Sequence, residues 1–179
     1  MTPTATLAGV SYSGGVADHG IYVWPTAGFA LLDELDAARG RVALIAAASL
    51  AEADGLVDRI QTDLGHHVVR LGRALADRPQ PPSVTDVQSA CGGATVINDL
   101  DVLLWPDMNT APLQLLAARA RQHPTIAVWP GHISGARARY SAPGRPDHHD
   151  MLLGDTVVLR PRDTRFPDEV PFEIERIVR

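Results

Sequence analysis

Residues 94–131 constrain the fold more than any other stretch of this sequence. They contain two apolar runs, 94–105 and 125–131, separated by a helical pattern over 112–123. An apolar run, an amphipathic helix and a second apolar run form a strand–helix–strand unit, in which both strands belong to one sheet. The first run carries acidic residues where the strand leaves the core, the position at which nucleotide-binding α/β proteins hold a magnesium ligand.

The same alternation of strands and helices extends over residues 41–158. Residues 41–48 form a continuous apolar run, as expected for a parallel strand covered on both faces. Ser49 and Glu52 form a capping-box pattern that opens the next helix. The fold class is therefore α/β, with a mainly parallel sheet of about five strands and flanking helices. Further elements are predicted as helices over 27–39 and from Ser83, and strands at 67–71 and 155–160.

The two ends of the chain predict short β additions to a single domain over residues 1–179. In the N-terminal part, 1–25, the apolar runs 4–10 and 20–24 indicate either a small hairpin or an irregular arm laid on the domain. Residues 132–179 predict a C-terminal β extension, with 136–140 as a hairpin strand. The alternating segment 170–178 predicts an edge strand, because Pro171 has no N–H to donate.

The composition excludes several classes of chemistry. All 16 basic residues are arginine, so neither a Schiff-base lysine nor a lysine on a phosphate is available. A net charge of −5 gives no general attraction to nucleic acid or to anionic membranes. Cys91 is the single cysteine, which excludes a disulfide framework and fits a reducing cytoplasm. No apolar run approaches the roughly 20 residues of a membrane span, so no membrane partner is expected.

The turn after the first buried strand lacks the features of a phosphate-binding loop. It has no glycine before Gly55, and Glu52 and Asp54 would repel a phosphate. Ser49 supplies the hydroxyl that such a loop would use for magnesium, but its position also suits a helix cap.

The end of the strand in 94–105 offers the other half of a nucleotide site. Asp99 and Asp101 are candidate metal ligands, whereas Asn98 is neutral where an acid is expected. The alternative is that these side chains cap the turn that follows the strand. With Ser49, they are interpreted as a vestigial nucleotide site that would hold at most a weakly bound nucleotide with magnesium; no resident metal or other cofactor is predicted.

Four sequence blocks resemble the BrxF-like P-loop proteins of BREX phage-defence systems. They lie in order at residues 98–106, 111–116, 125–131 and 140–147, and the resemblance covers about 55 residues, 94–147. The resemblance implies a P-loop NTPase-like fold, nucleotide binding and other defence-system proteins as partners. Because the phosphate loop is missing and Asn98 replaces the magnesium-binding acid, no catalytic residue is carried over from the family.

Together these observations predict a non-catalytic accessory or regulatory component of a bacterial phage-defence complex, located in the cytoplasm. Whether the chain is an enzyme stays open. The first alternative is a nucleotide-binding ATPase with a non-standard site around Asp99 and Asp101. The second is a DNA-contacting accessory subunit that uses Arg137, Arg139 and Arg145.

Two further patterns have plainer interpretations. The arginines of the C-terminal third, including Arg160, Arg162 and Arg165, could instead pair with the acidic segment near the C-terminus. Residues 147–150 contain the letters of a phosphoesterase metal motif, but they follow a turn and predict a polar helix start. The adjacent His66 and His67 would face opposite sides of a strand and so would not share a metal.

Overall fold

A computed structural model describes residues 19–78, 80–108, 111–162 and 171–178. The helices are α1 Thr26–Ala37, α2 Leu50–Leu64, α3 Leu71–Ala74, α4 Val84–Cys91 and α5 Pro112–Ala120, with 3-10 turns at Leu100–Leu104 and Pro106–Met108. The strands are β1 His19–Val23, β2 Val42–Ile45, β3 Val68–Arg70, β4 Val96–Asn98, β5 Thr125–Val128, β6 His132–Ser134, β7 Arg137–Tyr140, β8 His149–Leu152, β9 Thr156–Pro161 and β10 Pro171–Ile177.

The central sheet has seven strands in the order β1-β10-β9-β2-β5-β4-β3, and the α/β class is confirmed. Strands β9, β2, β5, β4 and β3 run parallel to one another. The prediction of a five-stranded sheet is wrong, because β10 and β1 extend the same sheet in antiparallel pairing. Gly20 of β1 pairs with Ile174 of β10, and Phe172 of β10 pairs with Pro161 of β9.

Both faces of this sheet are covered. On one face, α1 and α2 pack on the side chains of Ala43 and Ile45 in β2. On the other face, Val42 and Leu44 of the same strand contact a second core built by α3, α4, α5 and a small antiparallel sheet, β6-β7-β8. Within the described part of the chain, no helix is long and apolar enough to cross a membrane.

Two strand predictions need correction. The run 94–105 gives only the three-residue strand β4, because Asp99 has left-handed backbone angles (φ 59°, ψ 45°) and leads into a 3-10 turn. Strand β10 is not an edge strand, since β1 pairs along its outer side. Pro171 is the first residue of β10, a position that proline tolerates.

The structure assigns the β additions predicted at the two ends of the chain to different sheets. Residues 20–24 contribute to β1, while the other run of the proposed hairpin, 4–10, lies outside the described residues. The C-terminal part divides between two sheets: β6, β7 and β8 form the small sheet, whereas β9 and β10 belong to the central one. Residues 136–140 supply β7, the middle strand of the small sheet.

The small sheet is attached to the carboxyl end of β5 through Trp129 and Gly131. The indole Nε1 of Trp129, a side chain that is only 1% exposed, donates a 3.0 Å hydrogen bond to the carbonyl oxygen of Arg139 in β7. Gly131 passes so close to the same carbonyl that an added Cβ would lie 2.0 Å from the oxygen. The backbone approach therefore requires glycine at this position.

We expect Gly131→Ala to lower the free energy of unfolding by about 1–3 kcal/mol, because the new methyl group forces the two segments apart. Urea unfolding followed by circular dichroism measures this. Gly55→Ala is the matched control: Gly55 lies inside α2 with open space around it, so alanine should stabilise the protein by about 1 kcal/mol. Equal stability of Gly131→Ala and the unmodified protein would contradict the close approach.

Candidate functional site

A cleft of about 640 Å³ opens at the carboxyl ends of β2, β5 and β4. The connection from β2 runs through α2 on one face of the sheet, whereas the connection from β5 runs through the small sheet on the other face. Neighbouring strands whose connections leave towards opposite faces have a crevice between their carboxyl ends, which is where α/β proteins bind ligands. The cleft is lined by Ala47, Ala48, Ser49, Leu50, Ala53, Gly72, Asn98, Asp99, Leu100, Asp101, Val128, Trp129, Pro130, Gly131 and Tyr140.

The structure brings together all four residues of the predicted nucleotide site. Ser49 follows β2, and Asn98, Asp99 and Asp101 follow or end β4, with β5 lying between these two strands. They meet because parallel strands present their carboxyl ends at one edge of the sheet. The adjacency of these residues is thus a consequence of topology. Their contacts decide their chemical role.

Asn98 is held in place by its own neighbours. Its side-chain oxygen accepts a 2.9 Å hydrogen bond from the N–H of Asp99, and its amide nitrogen donates to Asp54 Oδ1 at 3.3 Å. Asp54, on α2, also accepts a 2.6 Å hydrogen bond from Arg70 at the end of β3. This network satisfies the buried Asn98, which is 7% exposed, and fixes the backbone that carries Asp99.

The carboxyl groups near β4 are in unequal environments. Burial raises the pKa of Asp99, and the nearby charge of Asp101 raises it further, against smaller opposing effects of Arg70 and the Gly72 N–H. The hydrogen bond from Arg70 instead lowers the pKa of Asp54. Arg70 therefore interacts mainly with Asp54. Its positive charge attracts the Asp99 carboxylate only from a greater distance.

The turn after β2 is closed by groups of the protein itself. The backbone N–H of Ala48 donates to the Glu52 carboxylate, and the N–H of Ala46 donates to the carbonyl of Leu159 at 2.9 Å. Ser49 Oγ accepts the N–H of Glu52 at 3.2 Å, which confirms its role as a helix cap. A phosphate at this turn would have to displace the Glu52 carboxylate from a backbone donor.

Two aromatic residues, Trp129 and Tyr140, also line the cleft. Tyr140 reaches it from β7, and burial together with the charges of Asp101 and Asp147 raises the pKa of its phenol. Sequence reasoning did not select Tyr140 or Gly72 as site residues. Tyr140 lies within a block that resembles the defence family, which is the signal that could have found it; nothing in the sequence distinguishes Gly72.

The three arginines proposed to contact DNA lie outside this cleft and have acidic partners. Arg137 and Arg139 contact Asp150 at 2.9 and 3.4 Å, and Arg145 contacts Asp147 at 3.1 Å. The predicted pairing with the C-terminal acidic segment occurs for two other arginines. These pairs are Arg160 with Glu175 at 3.2 Å and Arg162 with Glu173 at 3.3 Å, while Arg165 is outside the described residues.

The segment 147–150 does not start a helix, so that prediction is wrong. It forms a turn and then enters β8, where His149 Nε2 lies 3.1 Å from the carbonyl oxygen of Leu104. His66 and His67 both precede β3, so His67 lies just outside the strand that was predicted over 67–71. Across the described ranges, no group of three or more His, Cys, Asp or Glu residues is arranged to hold a metal ion.

Fold and cleft together define an α/β protein with a ligand-sized crevice at the switch point of its sheet. Comparison with protein-family models, with curated proteins and with solved structures finds no match for this chain.

We expect Asp99→Asn to stabilise the protein at pH 7, because ionisation of a carboxyl with a raised pKa opposes folding. The gain should be below about 1 kcal/mol, since solvent screens a partly exposed charge. It should vanish as the pH falls below about 4, where the carboxyl is protonated in the folded and unfolded states. Thermal unfolding of both proteins at a series of pH values from about 3 to about 7 measures the difference.

Asp86→Asn provides a control of opposite sign. Hydrogen bonds from Ser83 in the capping box of α4 lower the pKa of Asp86, so its ionised form favours folding. This variant should be less stable than the unmodified protein at pH 7, and the difference should shrink on acidification. A destabilised Asp99→Asn at pH 7 would contradict the environment described for Asp99.

Proposed function

We propose that this chain is a non-catalytic accessory protein of degenerate P-loop type that works within a bacterial phage-defence complex. The observation that carries the non-catalytic part is the turn after β2. There the Glu52 carboxylate accepts the backbone N–H of Ala48, the kind of donor a phosphate loop offers to its nucleotide. With no lysine in the chain, this turn has no cation to compensate a triphosphate.

The arrangement of the blocks that resemble the defence family supports the scaffold part of the proposal. Asn98, Asp99 and Asp101 come from the first block, Trp129 and its neighbours from the third, and Tyr140 from the fourth. Residues from three separate blocks thus line one cleft. A protein that retained a nucleotide-type scaffold for assembly, while its phosphate turn closed on itself, would have this combination.

One observation favours a second candidate, a nucleotide-binding ATPase with a non-standard site. Ser49, Asp99 and Asp101 line the same cleft, so a magnesium ion could meet a hydroxyl and two carboxylates there. The acidic lining counts against it, because a triphosphate would bring further negative charge beside Asp99 and Asp101. The two candidates differ in whether ATP stabilises the protein.

We expect ATP with magnesium chloride to leave the thermal unfolding temperature of the protein unchanged, because none of the described residues that line the cleft has a cationic side chain to bind phosphates. Differential scanning fluorimetry at increasing ATP concentration measures this. The decisive comparison uses Asp99→Ala. A clear shift with the unmodified protein that this variant abolishes would replace the non-catalytic proposal with the ATPase.

The partner side of the proposal is tested by co-expression with the products of the neighbouring genes. We expect the tagged chain to co-purify stoichiometrically with another defence protein encoded beside it, such as a methyltransferase or a large ATPase. Size-exclusion chromatography with mass determination gives the composition of the complex. Neighbouring genes without any defence function, or neighbours that never co-purify, would refute the assignment to a defence complex.

A further inference from the structure

We infer that the cleft is a binding site for a small organic cation, in which a guanidinium, amidinium or ammonium group is attached to an apolar body. The charged side chains that line the cavity are all of one sign. Among the described residues that line it, Asp99 and Asp101 are the charged ones, and both are acidic. Neither forms an ion pair with another described residue.

Arg70, the basic residue whose charge acts on Asp99, does not neutralise this pair. Arg70 donates to Asp54 at 2.6 Å and lies 3.7 Å from Asp58, so its guanidinium is already held between two carboxylates. Glu52 adds another carboxylate beside the turn after β2. The described walls of the cavity therefore give it a negative potential and include no cation, and a ligand cation would supply the missing charge.

The remaining walls suit the apolar part of such a ligand. Ala47, Leu100, Val128 and Pro130 provide aliphatic surface. Tyr140 presents an aromatic side chain on the same cavity, and aromatic faces attract organic cations. The volume of about 640 Å³ lies within the usual range of small-molecule sites, roughly 300–1,000 Å³. A bare metal ion would leave most of this surface without a partner.

The backbone of Asp99 is fixed by contacts within the protein, and its environment lowers the stability of the folded state. Its backbone is in the left-handed region, and its N–H is fixed by the side chain of Asn98. Burial beside Asp101 disfavours its ionised form, as its raised pKa indicates. A bound cation would reverse that effect, since an opposite charge favours the carboxylate. A functional group kept in an unfavourable environment is typical of binding sites.

The inference does not depend on the proposed role in phage defence, since it uses only the shape and charge of the cleft. Benzamidine, benzamide and benzoate make a matched set of probes: they have nearly the same shape and are cationic, neutral and anionic at pH 7. Phenethylamine serves as a second cation with a longer apolar arm. Isothermal titration calorimetry at low salt measures the affinity of each probe for the full chain.

We expect at least one of the two cations to bind, with benzamide and benzoate about tenfold weaker or undetectable. Asp99→Asn and Asp101→Asn should each weaken cation binding by about tenfold, because each removes one charged partner. Asp107→Asn is the control: it removes the same charge from an exposed position on the neighbouring 3-10 turn, outside the cleft, and should leave the affinity unchanged.

Three results would overturn the inference. The first is absence of binding by both cations up to about 10 mM, a concentration that would detect even very weak sites. The second is binding of benzoate at least as tight as that of benzamidine. The third is equal loss of affinity in Asp107→Asn and Asp99→Asn, which would mean a diffuse surface effect. Circular dichroism of each variant separates loss of binding from loss of folding.

Discussion

A parallel sheet covered on both faces leaves room for polar side chains only at the ends of its strands, and the structure of this protein depends on that constraint. All four residues of β2 and of β5 are buried, and β4 is buried along its whole length. Thr125 is the first residue of β5 and bonds to the carbonyl of His123, whereas Asn98 is the last residue of β4. Side chains able to contact a ligand therefore collect at the carboxyl edge of the sheet.

The electrostatic character of that edge follows from one network of contacts. Arg70, which could have neutralised the acidic end of β4, is bound to Asp54, and Asp54 also accepts the amide of Asn98. The turn after β2 is closed by Glu52 in the same neighbourhood. An architecture common among proteins that bind phosphates thus carries a cleft of the opposite polarity, which is the physical basis for proposing no nucleotide hydrolysis and an affinity for cations.

The small antiparallel sheet completes the cleft. It is held by the Trp129 hydrogen bond to Arg139 and by the close passage of Gly131, and it brings Tyr140 into the lining of the cleft. The sequence predicted a β extension here. It could not predict Tyr140 as a residue of the cleft wall, because Tyr140 reaches the cleft only when β7 packs across the end of β5. The sequences of these two segments contain no pattern that indicates this contact.

The sequence by itself determined the α/β class, the position of most helices and the capping role of Ser49, because these depend on local periodicity and on hydrogen bonds between near neighbours. Only the tertiary structure decided that β1 and β10 extend the central sheet, that β4 stops at Asn98, and that the acidic residues after it line a cavity to which the described residues contribute no cation. Strand order and the pairing of charges depend on contacts between residues far apart in the chain, and local pattern carries no information about those contacts.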